Sequence, residues 1–306
     1  MVAAVSDASK RRDFIVCSIS HMDAAGEVQP GHLYVVATPI GNLRDLSPRA
    51  QAVLAGVDLI AAEDTRTSGV LLQQFGIGTK LKALHDHNER EFAPHIVAML
   101  RDGKSVALIS DAGTPLISDP GFDLVRAARA AGVPVVAIPG PCAAIAALSI
   151  SGVPSDSFVF VGFLPPKSAA RRKRLQELSS ESRTLIFYEA SHRIVECVGD
   201  LAEIFADRVI FLAREITKKF EQSFSGTGAD LVAWLKQDEN RTRGEFVVIA
   251  QGAEPTTDTA QAQRVLELLL KELPPARAAK LAAEITGAPR NALYDLALKL
   301  SRPAGE

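Results

Sequence analysis

The sequence predicts an α/β protein: two α/β domains with a small helical region behind them. Three observations carry that prediction. Short apolar runs alternate with amphipathic stretches over residues 31–150, a second alternation of different style fills 151–254, and residues 259–302 show helical periodicity alone. Residues 1–30 read as a disordered extension ahead of the first domain.

In the first domain "LYVVAT" reads as a strand. "SPRAQAVLAGV" reads as a helix opened by Ser47 as N-cap and Pro48 as first helical residue, and "DLIAAE" as a second strand. "TSGVLLQQFG" is helical and closed by Gly76. The helix "APHIVAMLRDG", the strand "SVALIS", the helix "GFDLVRAARAAG" and the strand "PVVAIP" follow. Strands and helices at this spacing imply a parallel sheet covered on both faces. In the second domain the strands are "FVFVGFL", "TLIFYEA", "RVIFLARE" and "EFVVIAQG", with a hairpin expected from "EQSFSGTG". The helices "AARRKRLQELS", "RIVECVGDLAEIF" and "ADLVAWLKQ" separate them. After the polar linker "EPTTDTAQ", the tail is broken at Pro274-Pro275 and at Gly287-Ala288-Pro289, and its last two pieces have helix-turn-helix spacing.

Composition excludes several classes. A hydrophobic share of 47% with 23% charged residues is ordinary for a globular protein, and 306 residues suffice for two cores. A net charge of −2 means that a polyanion would have to be met by a local patch. Cys17, Cys142 and Cys197 are too few and too scattered for a disulfide framework or a zinc site, which fits a reducing cytoplasm. No apolar run is long enough to span a membrane. "SKRRDFIVCSISHMD" has two arginines, but its apolar piece is too short for an export signal and no small-residue cleavage site follows.

"LISDAGTPLISDPGF" holds two Ser-Asp pairs, Ser110-Asp111 and Ser118-Asp119, threaded with Gly113, Pro115, Pro120 and Gly121. The Gly and Pro residues end the strand, so the polar residues sit on a loop at its carboxyl end, where open α/β sheets bind ligands. A turn stitched by side-chain hydrogen bonds is the other reading. "TPIGNLRD", "EDTRTSG" and "PGPCAA" leave the other strands with the same small polar character. In a parallel sheet all four open on one edge, which favours a shared ligand site. No G-x-G-x-x-G follows the first strand, and there is no P-loop and no G-x-S-x-G elbow. His85, His87 and Glu89 in "HDHNERE" read as a solvated polar loop rather than a metal site.

"VATPIGNLRDLSPRA", "AEDTR", "LISDAGTPLISDPG", "PGPCAAIAAL", "FYEASHR" and "RGEFVVI" closely resemble the S-adenosylmethionine-dependent methyltransferases of the tetrapyrrole methylase fold, in the branch that acts on small-subunit ribosomal RNA. The resemblance runs in unbroken order over about residues 31 to 252. It implies two α/β domains with the cofactor in the cleft between them, a homodimer, and methyl transfer to the ribose 2′-hydroxyl of a cytidine in 16S RNA, free or in the assembled 30S subunit. It also implies cofactor contacts at Pro39, Ser110, Asp111, Gly113, Leu116, Ile117, Cys142, Ala143, Tyr188 and Ala213, with Gly244, Glu245 and Phe246 near the adenine. Cys142 stands where Ser or Ala is common. On this reading the first Ser-Asp pair meets the cofactor and the second shapes the loop.

S-adenosylmethionine carries an activated methyl group, so the protein mainly has to align the hydroxyl and exclude water. Asp64, Arg66 and Glu189 are the expected catalytic residues, with Glu63, His192, Arg214 and Glu215 as further candidates. Lys167, Arg171, Arg172, Lys173 and Arg174 form the expected RNA grip. Phe163, Phe187 and Tyr188 are the nearest aromatic residues for base stacking, and Arg277, Lys280 and Arg290 of the tail are the next basic group. Two other readings compete: methylation of a tetrapyrrole carbon, and a cofactor-sensing RNA-binding module without catalysis.

Overall fold

The computed structural model describes residues 28–254 and 259–301. These residues divide into two units: up to Ala146 together with Ile216–Lys219, and Ala147–Glu215 together with the residues from Phe220 onward.

The first unit runs β1 (Leu33–Val36), α1 (Pro48–Gly56), β2 (Leu59–Ala62), α2 (Thr65–Gln74), β3 (Leu81–Ala83), α3 (Glu89–Arg101), β4 (Val106–Ile109), α4 (Phe122–Ala130) and β5 (Val135–Ile138). Its five strands are all parallel, in the order β3-β2-β4-β1-β5. Alternation along the strands sorts the core. Leu33, Leu59, Ala61, Val106 and Leu108 pack with Ile96, Leu100 and Leu124 of α3 and α4. Tyr34, Val36, Ile60, Ala62, Ala107 and Ile109 pack with Leu54 and Leu72 of α1 and α2. Each valine, leucine or isoleucine among them, taken from water, contributes about 1.5–3 kcal/mol. The helices therefore cover both faces, and β1 and β4, neighbours in the sheet, send their following helices to opposite faces.

Local signals explain the boundaries. Ser47 accepts a hydrogen bond from Ala50 N at 3.1 Å at the start of α1, and Asp64 accepts from Arg66 N at 2.8 Å at the start of α2. Gly121, ahead of α4, offers no side chain; Glu89 of α3 accepts from Leu124 N at 2.8 Å instead. β3 is not expected from the sequence, because its three residues are too few for a period to appear. Residues 28–30 do not belong to the expected extension: Val28 packs on the α1–α2 core, and Gln29 N donates to the Tyr34 hydroxyl at 2.7 Å. The rest of that extension lies outside the described residues.

α5 (Ala143–Ser151), also absent from the sequence reading, carries the chain into the second unit. There follow β6 (Phe158–Phe163), α6 (Ser168–Glu177), β7 (Thr184–Ala190), α7 (Ile194–Phe205), β8 (Ile210–Arg214), β9 (Gln222–Gly226), α8 (Gly228–Lys236) and β10 (Glu245–Ala250). The sheet order is β6-β7-β10-β8-β9; β6 and β7 are parallel, and β10 is antiparallel to β7 and β8. The expected hairpin is the antiparallel β8–β9 pair. Leu185, Phe187, Leu212, Phe246 and Val248 face α6, α7 and α8 in one core.

The tail forms α9 (Thr259–Leu270), α10 (Pro275–Thr286) and α11 (Arg290–Leu300). Its breaks fall where Pro274 and Gly287 stand, and Gly287 adopts the left-handed conformation that ends α10. Leu266, Ala278, Ala279, Ala282, Leu293 and Ala297 give these helices a core of their own.

Candidate functional site

In a doubly wound sheet the crevice opens where neighbouring strands send their connections to opposite faces. Here that point lies between β1 and β4, and the loops leaving them are tied together. Thr38 N donates to Gly113 O at 2.8 Å, and Gly113 N returns a bond to Thr38 O at 3.1 Å. Thr114 Oγ1 donates to Pro141 O at 2.9 Å, joining the loop after β5. Gly113 has φ 86°, and a Cβ there would come within 3.3 Å of Ile40. A Cβ on Gly140 would lie 3.0 Å from that of Ala37. Leu116 and Ser118 hold left-handed backbone at φ 73° and 68°, a conformation that costs a side-chain-bearing residue about 1–3 kcal/mol.

Carboxylates gather on this edge. Asp111 N donates to Glu63 Oε2 at 3.3 Å, and Asp111 Oδ1 accepts from Asp64 N at 3.1 Å. Partial burial raises the Asp111 carboxyl above its ordinary value and does the same for Glu63. Asp119 is pushed up to about 6, first by burial and then by the charge of Glu63, while a hydrogen bond from Ser110 opposes the rise. Ser110 Oγ itself donates to Ala112 O at 3.4 Å, within the same loop. Arg66 is a cation on this edge, clasping Asp64 through Nη2 at 2.6 Å and holding that carboxyl down to about 2. Ser110 and Pro39 are buried, Leu116, Ile117, Cys142 and Ala143 half-buried, and Asp111 exposed.

In the second unit, pairing across β6, β7, β10, β8 and β9 aligns Phe163, Tyr188, Val247, Ala213 and Ser223 in one row. Opposed residues share a face, so Tyr188 and Ala213 lie together. The next row, Glu189, Phe246 and Arg214, points the other way. Phe246 is 3% exposed, its side chain packs in the helix-covered core, and its strand is paired on both sides. Gly244, at φ 98°, lies against the Glu215 carboxylate, which accepts from Glu245 N at 3.0 Å.

Several expected site residues are buried. Glu189 lies in the core row, where its carboxylate meets Arg193 Nε at 2.8 Å, the arrangement of a structural ion pair. Arg214 is buried and donates to the carbonyls of Arg243 and Phe220. Phe187 is fully buried and cannot stack on a base. Of the expected RNA grip, Arg171 is 1% exposed between Asp200 and Glu196. Arg172 pairs with Asp200 and Glu203, and Arg174 with Glu177. Only Lys167 and Lys173 of the five are exposed without an ion-pair partner among the described residues. His85 and His87 contact each other edge to face, while Glu89 is spent on the start of α4. His192 is exposed.

Thr38 escapes the sequence reading, although "ATPIG" places it at the end of β1; its role depends on a partner 75 residues away. The bulge in β6, where pairing slips between Phe160 and Gly162, is signalled in "FVFVGF" by Gly162 alone, a glycine inside a strand.

Residues 32–232 match the tetrapyrrole (corrin/porphyrin) methylase family, and residues 256–301 match the RsmI C-terminal HTH domain. The chain is 59% identical over 268 residues to ribosomal RNA small subunit methyltransferase I of Xylella fastidiosa, covering 87% of this chain and 98% of that relative. It is 53% identical over 272 residues to the protein of the same name from Escherichia coli O157:H7, covering 88% and 95%. Among solved structures it resembles uroporphyrin-III C-methyl transferase from Thermus thermophilus complexed with S-adenyl homocysteine. That likeness has a TM-score of 0.51 at 18% identity, covers 72% of this chain and 97% of that one, and concerns the fold alone.

Proposed function

The chain belongs to the tetrapyrrole methylase family, and from that membership we propose that it methylates the ribose 2′-hydroxyl of a cytidine in small-subunit ribosomal RNA. It is an S-adenosylmethionine-dependent methyltransferase that acts on this RNA. The observation that carries the assignment is the 59% identity to a ribosomal RNA small subunit methyltransferase I over 98% of that relative's length. Methylation of a tetrapyrrole, by contrast, is supported by the description of the broad family and by likeness of fold at 18% identity.

The switch-point loops fit S-adenosylmethionine. Gly113 and Gly140 bring three loops together, and Asp111 offers an acceptor for a hydroxyl or a positively charged group. Carboxylates outnumber cations on this edge, which suits a ligand bearing a sulfonium and an ammonium. When bound, the cofactor supplies the activated methyl group. On this reading the cofactor contacts are those that the family resemblance implies: Pro39, Ser110, Asp111, Gly113, Leu116, Ile117, Cys142, Ala143, Tyr188, Ala213, Gly244, Glu245 and Phe246. Arg66, exposed beside Asp64, is the cation available to steady charge on the acceptor oxygen, and Asp64 orients it.

We further assign the protein to the cytoplasm, where its RNA is, and to a homodimer. No described helix is long and apolar enough to cross a membrane.

The test is methyl transfer from labelled S-adenosylmethionine to small subunits lacking the modification, with the modified nucleotide mapped and light scattering giving the mass. Label on a base, or none on RNA, overturns the assignment. Within it, Asp111→Ala should weaken cofactor binding roughly ten- to a hundredfold in calorimetry, the loss of about 1.5–3 kcal/mol from a charged hydrogen bond. Unchanged affinity moves the site elsewhere.

A further inference from the structure

We infer that Phe163 is a stacking platform for a pyrimidine base of the RNA substrate, which deepens the function proposed above and rests on it. Strict alternation along β6 would send Phe163 to the same face as Val159 and Val161, both of which pack against the helix-covered core. The bulge prevents this. Phe160 pairs with Ile186, Gly162 with Phe187 and Phe163 with Tyr188, so Val161 is the extra residue and every side chain after it changes face. Gly162 makes the turn possible with φ 72°. Bulges of this kind re-aim a side chain beside functional sites.

The re-aimed ring is 55% exposed. It meets Tyr188 edge-on at 5.8 Å, and Tyr188 meets Phe160 edge-on at 5.0 Å, so three rings brace one another. Burying Phe163 would have been the ordinary outcome for this residue; a backbone irregularity that brings it out needs a use. The strand's exit is pinned as well. Leu164, the next residue, is buried in the core, and its carbonyl accepts from Arg193 Nη2 at 2.6 Å. Arg193 is itself held by the buried Glu189. Glu189 is thereby a positioning residue: it fixes the arginine that fixes the end of β6.

An aromatic face next to Tyr188 suits a flat base. RNA modules recognise splayed single-stranded nucleotides through such rings, and stacking tolerates either pyrimidine. Lys167, exposed four residues on, supplies a charge for the neighbouring phosphate.

The test compares Phe163→Ala, Phe163→Leu and Phe163→Trp with the unaltered protein in methylation of small subunits, alongside cofactor affinity, thermal midpoint and mass in solution. Stacking contributes about a 5- to 100-fold effect, so Phe163→Ala should raise KM for the subunit by that factor. Cofactor affinity, midpoint and mass should hold. Phe163→Leu should fail with Ala, because it restores volume without a π-face, and Phe163→Trp should retain activity. Equal KM for Ala and the unaltered protein overturns this inference alone, as does full rescue by Leu. A shift in cofactor affinity makes the ring part of the cofactor site, and a shift in mass places it between subunits; either outcome overturns the inference too. An unaltered protein that methylates no RNA overturns the functional reading and this inference with it.

Discussion

Arg171 Nε lies 2.6 Å from Asp200 Oδ2, joining α6 to α7 through a guanidinium that is 1% exposed. Removing one partner of a buried ion pair strands the other. Arg172 still reaches Asp200 Oδ1 at 3.0 Å, so the loss falls at the lower end of the usual range. Arg171→Ala should cost about 3 kcal/mol in urea unfolding. The salt dependence of subunit binding should not change, since the side chain faces no phosphate. A flattened slope at unchanged stability would return Arg171 to the RNA.

The basic residues open to a polyanion include those of the tail. Arg277 and Arg290 are exposed on α10 and at the start of α11, and Lys280 is 60% exposed with its nearest carboxylate at 3.9 Å. A cation that no longer neutralises its phosphate changes the slope of log K against log salt by about 0.7–0.9. Arg277→Ala with Arg290→Ala should therefore flatten it by about 1.5 units. Cofactor affinity should stay as it is. Superimposed salt series for the two proteins would exclude the tail from the interface.

Asp119 ties stability to pH. Its carboxyl is raised to about 6 in the fold, chiefly by burial, against 3.8 ordinarily. The folded state thus holds the proton more tightly, and this contribution is fully present below about pH 4 and lost as pH rises through about 6. Asp119→Asn removes the charge at nearly the same volume. Its thermal midpoint should match that of the unaltered protein near pH 4 and exceed it near pH 7.5. A variant less stable at both values would mean that the charge is compensated in the fold.

Glu189 offers a contrast with the half-buried Asp64. A general base is worth about 10²–10⁴ in rate. Glu189→Gln should leave kcat within about threefold of the unaltered value and the pH profile unmoved, because the carboxylate faces Arg193 inside the core. Stability should fall by roughly 1–3 kcal/mol. KM for the subunit should rise as the exit of β6 loosens. A hundredfold fall in kcat with an altered acidic limb would restore Glu189 as the base.

The sequence by itself determined the alternating α/β order, the start of α1 at Ser47 and Pro48, the breaks in the tail, and the gathering of small polar loops at one sheet edge. These are local: a cap, a proline, a glycine or a period acts within a few residues, so its signal stands in the chain. The loop motifs also carry the family, because their glycines and carboxylates answer to one shared ligand. Only the tertiary structure decided which charges are free. Arg171 and Lys173 look alike in "RRKR", yet one meets Asp200 from another helix and the other meets solvent. Glu189 follows Tyr188, yet period-two alternation sends them to opposite faces, and the ladder rather than the motif sets which face is covered. Phe163 depends on a single inserted residue in β6, and the bond that joins Thr38 to Gly113 spans two strands of the sheet. Burial and cross-strand register come from residues far apart in the chain, and no local pattern records them.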